Sequence, residues 1–301
     1  MANLKQIRKH IASVQNTGKI TRAMKMVAVS KLRKSQTAVL ATRPYVTALV
    51  DTIEHIVAKA NESQHPLLRR PESVKRVALI VVSGDKGLCG AYNHNIVKSA
   101  KRFIEERRAG CEVIKLYFVG RKAAEAMRHV SGVERVMVEG AWERLPSDVA
   151  LDLSKELCEA FTKDALDEVF ILYTVFKSAI QQSVVLDAVL PLQQILTNRD
   201  ADGNEVFNVD EQKEIAETPF LYEPSQGEIL DVLLPRAVSV HIQRSLLEGC
   251  ASENGARMTA MDSASKNATE MISRLTLQFN RARQAAITTE LIEVVSGAEA
   301  L

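Results

Sequence analysis

A 3.5-residue step governs both ends of this chain. From Leu4 to Ile56, apolar or small residues recur through Ile7, Ile11, Val14, Gly18, Thr21, Ala28, Leu32, Ser35, Val39, Thr42, Val46, Leu49 and Ile53. The step returns from Leu247 to Thr289 through Ala251, Met258, Met261, Ala268, Leu275, Phe279, Ala282 and Ala286. Apolar residues at this period form a seam on one helix face and pack it against a second helix as a coiled coil. At ~1.5 Å per residue the first segment alone spans roughly 80 Å. An ordinary globular helix has about 11–12 residues. The first segment runs toward the middle of the chain and the second away from it, so a shared seam makes them antiparallel. That seam thins near Gly18, Thr21 and Lys25, and again around Asn254 and Ser265. Buried apolar area sets the hydrophobic gain at ~25 cal/mol per Å², so a surrounding partner is expected to support the pair at those levels.

Charge is unevenly placed. The net charge is only +2, yet no Asp or Glu precedes Asp51, while Lys5, Arg8, Lys9, Lys19, Arg22, Lys25, Lys31, Arg33, Lys34 and Arg43 all fall in that stretch. A long segment of one sign attracts an acidic partner: nucleic acid, an anionic membrane surface or an acidic protein collar. A solvated helix face is the plainer reading. Single-strand nucleic acid recognition also needs interleaved aromatics, and only Tyr45 stands there. No run of 18 apolar residues exists to span a membrane, and the first residues lack the apolar core of a secretory signal. Four scattered cysteines, Cys89, Cys111, Cys158 and Cys250, form no CxxC pair, which argues against a metal site or disulfide framework and fits a reducing compartment.

Between the helices the pattern changes. Val77–Ser83 is a short, β-branched apolar run of the kind that forms a strand buried on both faces. A helix over 95–109, a strand over 113–119, a helix over 122–130 and a strand over 134–138 follow. A helix over 148–165 and strands over 169–175 and 184–190 complete the block. This alternation predicts a mostly parallel sheet covered by helices. Its last two strands are too close for a helical crossover and pair antiparallel. The expected fold is therefore an α/β chain: an antiparallel coiled coil of the terminal helices plus a central Rossmann-like domain. The expected divisions are 1–65, 72–196, an acidic linker or hairpin over 197–224, and 225–301. Ser225 and Glu228 make a capping-box pattern. Pro44 and Pro235 are expected to bend the helices that contain them.

Few residues suggest chemistry. Gly84, Asp85, Lys86, Gly87, Leu88, Cys89 and Gly90 follow the first strand. Their glycine spacing is GxxGxxG, not the dinucleotide GxGxxG, and the Gly-Lys-Ser/Thr ending of a phosphate loop is missing. Gly120-Arg121-Lys122 stands where a ribose-binding acid would end the second strand. A tight structural turn is the better reading. Cys89 is expected to be a buried thiol. Asp85 and Lys86 lack the partners that acid–base catalysis needs, so no catalytic residue, cofactor or metal is assigned. Met24 lies beside Lys25 in a small-residue stretch. Its unbranched, polarizable side chain could slide against a changing neighbour. Arg281, Arg283, Gln284, Thr288, Thr289 and Glu290 cluster near the end, either as solvated coiled-coil surface or as a polar latch for a partner. The final small, nearly neutral residues suit an apolar sleeve.

The two ends carry a resemblance. Residues Ile7-Arg8, Ile11 to Thr17, Lys19-Ile20-Thr21 and Met24 to Ala28 resemble the gamma subunits of rotary F-type ATP synthases, as do Asp85 to Gly90 and Asn93. So do Glu253-Asn254, Ala256-Arg257-Met258, Ala260-Met261, Asn267-Ala268, Ala282 to Ala285, Ile287-Thr288, Glu290-Leu291 and Glu293 to Ala298. The resemblance implies a non-catalytic central stalk. Its coiled coil would turn inside a hexamer of alpha and beta subunits, and its α/β block would rest on the c-ring of the membrane sector beside epsilon. Nucleic acid and a direct membrane span would play no part. By position, Met24 and Lys25 would meet an acidic lever loop of a beta subunit. Arg283, Gln284, Thr288 and Glu290 would form a polar catch. Chloroplast forms carry a cysteine-bearing regulatory insert, whereas 197–219 here has no cysteine. That and the absence of a presequence suggest the cytoplasmic face of a bacterial inner membrane, as a peripheral protein.

Overall fold

A computed structural model of the chain describes residues 2–59, 65–69, 71, 73–178, 181–192, 223 and 225–299. The long helix α1 covers Ala2–Lys59 and runs through Pro44. A 3-10 turn at Pro66–Leu68 leads to β1 (Arg76–Val82), α2 (Tyr92–Arg107), β2 (Val113–Val119) and α3 (Arg121–Ala126). Then come β3 (Glu134–Val138), α4 (Pro146–Thr162), β4 (Glu168–Phe176) and β5 (Gln182–Leu190). The last helix, α5, covers Gln226–Glu299 and continues through Pro235. None of the described helices is long and apolar enough to cross a membrane. The expected linker over 197–224 lies outside the described residues apart from Glu223.

Packing divides the chain into two units, Met1–Ser30 with Arg257–Leu301, and Lys31–Ala256. The larger unit holds a five-stranded sheet in the order β3-β2-β1-β4-β5. β1 pairs parallel with β2 and β4, and β2 pairs parallel with β3. β5 returns antiparallel along β4, with a register shift at Val169/Phe170. β1 is buried on both faces because each face has its own cover. Val77, Leu79 and Val81 face Ile96, Ala100, Phe103 and Ile104 of α2. Ala78, Ile80 and Val82 belong to the other core, with Leu153, Leu157 and Phe161 of α4. The same core takes in Val46, Leu49, Ile53 and Ile56 of α1 and Leu230, Leu234, Val238 and Ile242 of α5. In this unit the long helices therefore close one face of the sheet. They run antiparallel, since Ser35 meets Cys250, Tyr45 meets Arg236 and Ile56 meets Gln226.

Several boundaries differ from the sequence expectation, for local reasons. α2 starts at Tyr92 instead of 95 because the preceding turn is finished by Gly90 in the left-handed region, φ +58°. α4 starts at Pro146, where a proline's missing N–H costs nothing, and stops at Thr162 because Asp164 turns left-handed, φ +54°. α3 stops at Ala126 instead of 130. At the start of α5, the Ser225 hydroxyl accepts from the Glu228 N–H at 3.3 Å and donates to its carboxylate at 2.9 Å.

Candidate functional site

Two places gather the residues singled out by sequence. The first is the turn at the carboxyl end of β1. Ser83 is its hub: its N–H donates to Val119 O at 2.7 Å, and its hydroxyl donates to Gly120 O and accepts from Ala123 N–H, both at 3.1 Å. Its carbonyl accepts from the Trp142 indole at 2.9 Å. Asp85 accepts from the Arg121 N–H at 3.0 Å, next to the start of α3. Asn93 holds the loop shut. It accepts from Gly84 N–H at 3.0 Å and donates to Lys86 O at 3.3 Å and to the Cys89 sulfur at 3.2 Å. Cys89 is buried, whereas Lys86 and Gly87 are exposed. Gly120 is required by its own backbone: at φ +100° a Cβ would lie 2.0 Å from Ser83 O.

In open α/β sheets a ligand sits beyond the carboxyl ends of the strands, where the strand order reverses. Here that point lies between β1 and β4, and α5 fills it. A Cβ on Gly84 would fall 2.7 Å from Glu253 Oε1, and one on Gly249 would fall 2.9 Å from Val82 Cγ1. Tyr92 donates its hydroxyl to Gly249 O at 3.1 Å, Ser252 donates to Thr174 O at 2.8 Å, and Glu248 accepts from Phe176 N–H at 3.2 Å. The glycine turn thus seats a helix in the position where a nucleotide reading would put phosphate.

The second place is in the smaller unit, where α1 and α5 run antiparallel. Gly18, Thr21, Ala28, Met261 and Ala268 are buried, and a Cβ on Gly18 would sit 3.5 Å from that of Ala268. Met24 and Lys25 are half-buried. Lys25 Nζ bonds Asp262 Oδ1 at 2.6 Å, and Lys266 Nζ reaches Asp262 Oδ2 at 3.0 Å. The Lys25 and Lys266 bonds hold the Asp262 carboxyl below the usual carboxylate range. Arg283, Gln284, Thr288 and Glu290 are exposed along the last turns of α5, where the Thr288 hydroxyl donates back to Gln284 O at 2.9 Å. Asp262 escaped the sequence reading. Its signal was available: it is the sole acid between Glu253 and Glu270.

A family model described as ATP synthase matches residues 3–301. The chain is 45% identical over 301 residues to the ATP synthase gamma chain of Geobacter sp. (strain M21), spanning 100% of this chain and 99% of that one. The chain belongs to the ATP synthase gamma family. To the gamma chain of Anaeromyxobacter sp. (strain K) it is 42% identical over 304 residues, spanning 100% of both. Among solved structures, a chain of the Euglena gracilis mitochondrial ATP synthase, OSCP/F1/c-ring, aligns with TM-score 0.66 at 17% identity, over 99% of this chain and 94% of that one. A central stalk/c-ring chain of the Tetrahymena thermophila mitochondrial ATP synthase aligns with TM-score 0.57 at 22% identity, over 82% and 99%. At those identities the structures establish a shared fold. The gamma-family match spans both long helices and the sheet between them.

Proposed function

We infer that this gamma-family chain is the central-stalk rotor of a proton-translocating ATP synthase. It carries rotation of the membrane ring into the catalytic hexamer, drives ATP synthesis there, and governs ATPase activity and proton flow. The observation that carries the reading is full-length identity of 45% to a gamma chain, with 100% of this chain covered. Its partners are the alpha and beta subunits, epsilon and the c-ring. The chain itself contributes no catalytic group: nucleotide chemistry belongs to the beta subunits, and the chain acts by changing their contacts. It sits peripherally at the cytoplasmic face of the bacterial cell membrane.

Within that reading the exposed end of α5 is the bearing. Arg283, Gln284, Thr288 and Glu290 present hydrogen-bonding groups on a surface where Leu291, Ile292, Val294 and Val295 are also exposed. A desolvated charged hydrogen bond is worth ~1.5–3 kcal/mol, enough to weight one rotary position over another. An exposed ion pair at ~0–1 kcal/mol is not. Met24 and Lys25 form the second contact, on α1. Reconstitution tests the function. The chain mixed with alpha and beta subunits should confer cooperative ATPase activity, and a tagged copy should bring those subunits out together with epsilon. A hexamer whose turnover ignores the added chain would overturn the reading.

A further inference from the structure

We propose that His241 makes the seat of α5 on the β4–β5 hairpin pH-sensitive: a proton on its imidazole weakens this stretch of the interface, and the helix opens from the strands more often as the surroundings turn acid. The interface here is polar where its neighbours are apolar. Across the hairpin Asp187 pairs with Ile171, and Val185 with Tyr173. Ile171, Tyr173, Val185 and Val189 belong to the core that α5 helps to close, so strand alternation puts Asp187 on that same face. Tyr173 donates its hydroxyl to Asp187 Oδ2 at 2.7 Å. From α5, His241, Arg244 and Glu248 follow one another at helical spacing. Arg244 and Glu248 act electrostatically on the Tyr173 hydroxyl, and Asp187 and Arg244 on His241. Glu248 accepts from the Phe176 N–H at the end of β4.

The imidazole is the group that an acid shift charges. His241 is half-buried as a residue, but its Nε2 is buried and has no hydrogen-bond partner among the described residues. A neutral ring can carry its proton on Nδ1 and leave Nε2 bare, whereas the imidazolium must put an N–H there. A buried donor without an acceptor is costly, and a buried charge more so. The surrounding charges do not remove that cost. Asp187 on β5 attracts the cation, but its carboxylate already accepts from Tyr173; Arg244, one turn along α5, repels it. The described side chains of α1 between Ser35 and Tyr45, which span this level of α5, carry no charge. Burial, the largest influence, and Arg244 therefore hold the ring below the usual imidazole range against the pull of Asp187. Such a group takes up a proton when the interface opens, so opening is favoured as pH falls through the ordinary imidazole value of about 6.5. Leu230, Leu234, Val238 and Leu246 keep α5 docked at every pH; what changes is how often the stretch around His241 opens. This holds whether or not the chain turns in a hexamer.

Amide hydrogen exchange on the full chain, corrected for the intrinsic pH dependence of exchange, reads the opening directly. Between about pH 7.5 and about pH 5.5, opening over 239–248 of α5 and 184–189 of β5 should rise about tenfold, the factor by which an exposed imidazole gains protons over one held neutral. β2 and α2 should keep their protection. His241→Gln, uncharged at every pH, should abolish the rise, and His241→Asn takes its place if that variant does not fold. His65→Gln should leave the rise intact, because His65 lies against Asp231 near the start of α5. Opening that ignores pH in the unsubstituted chain overturns the proposal. A rise that survives His241→Gln, or that His65→Gln removes, is equally fatal, as is one shared in full by β2 and α2, the mark of global unfolding. Should neither His241 variant fold, the unsubstituted chain decides: a local tenfold rise supports the proposal and a flat profile overturns it.

Discussion

Single residues in this chain mostly serve the backbone. Gly120 is the sharpest case, because left-handed φ and a neighbouring carbonyl both forbid a side chain there. Gly120→Ala should destabilise the larger unit by about 3 kcal/mol or prevent its folding, measured as the urea midpoint. Asp167 shows the opposite device, a nearly buried charge fully matched. Its carboxylate accepts from the Lys75 and Arg76 N–H groups at 2.9 and 2.7 Å and from Arg76 Nη2 at 2.7 Å, tying the start of β1 to the start of β4. Burial alone would raise this carboxyl; the Arg76 guanidinium and the two backbone donors outweigh it and hold it below its ordinary value. A depressed carboxylate stabilises the fold above its unfolded pKa of about 3.9 and loses that contribution as pH falls through the folded value. Asp167→Asn should therefore cost about 1–2 kcal/mol at pH 7 and flatten the stability decline below about pH 4, in denaturation series across pH. Equal acid slopes for both proteins would contradict this account.

Elements differ in how openly the sequence announces them. The 3.5-residue step named the inward face of α1: Gly18, Thr21, Ala28, Leu32, Ser35, Val39, Val46, Leu49, Ile53 and Ile56 are buried, while Leu4, Ile7, Ile11, Val14 and Thr42 on the same face are half-buried. The apolar run of β1 was equally plain, because a strand covered on both faces needs no polar alternation. The seating of α5 on the sheet was hidden. It depends on Gly249 and Gly84, which contribute an absence of side chain, and on Glu253 and Ser252, which read as ordinary polar helix positions. The division of labour along α1 was hidden too, since one uninterrupted period serves a helix–helix seam in the smaller unit and a helix–sheet core in the larger. Gly249→Val supplies the element-scale test. A Cβ there already meets Val82 at 2.9 Å, so valine should loosen the helix from β1. Amide exchange over 245–256 and at the end of β1 should accelerate at least tenfold, as a loss of about 1.4 kcal/mol in local opening implies, while α2 keeps its protection.

At the scale of the whole molecule, small contacts acquire meaning through the partners that surround them. Met24 is half-buried beside a lysine already engaged by Asp262. Met24→Lys would add a positive charge beside a lysine whose acid, Asp262, already serves both Lys25 and Lys266, so the new ammonium should seek the collar. The expected outcome is poor coupling: ATP hydrolysis retained, proton pumping in membrane vesicles reduced several-fold. Parallel loss of both activities would point to failed assembly instead. The seat of α5 has one more consequence. A crevice that elsewhere exchanges a diffusible guest is here stoppered by the polypeptide itself. A tethered occupant has a high effective concentration, so a diffusible ligand would have to displace it against that advantage. Torque applied to α5 would therefore enter the sheet through its contacts with β1 and β4.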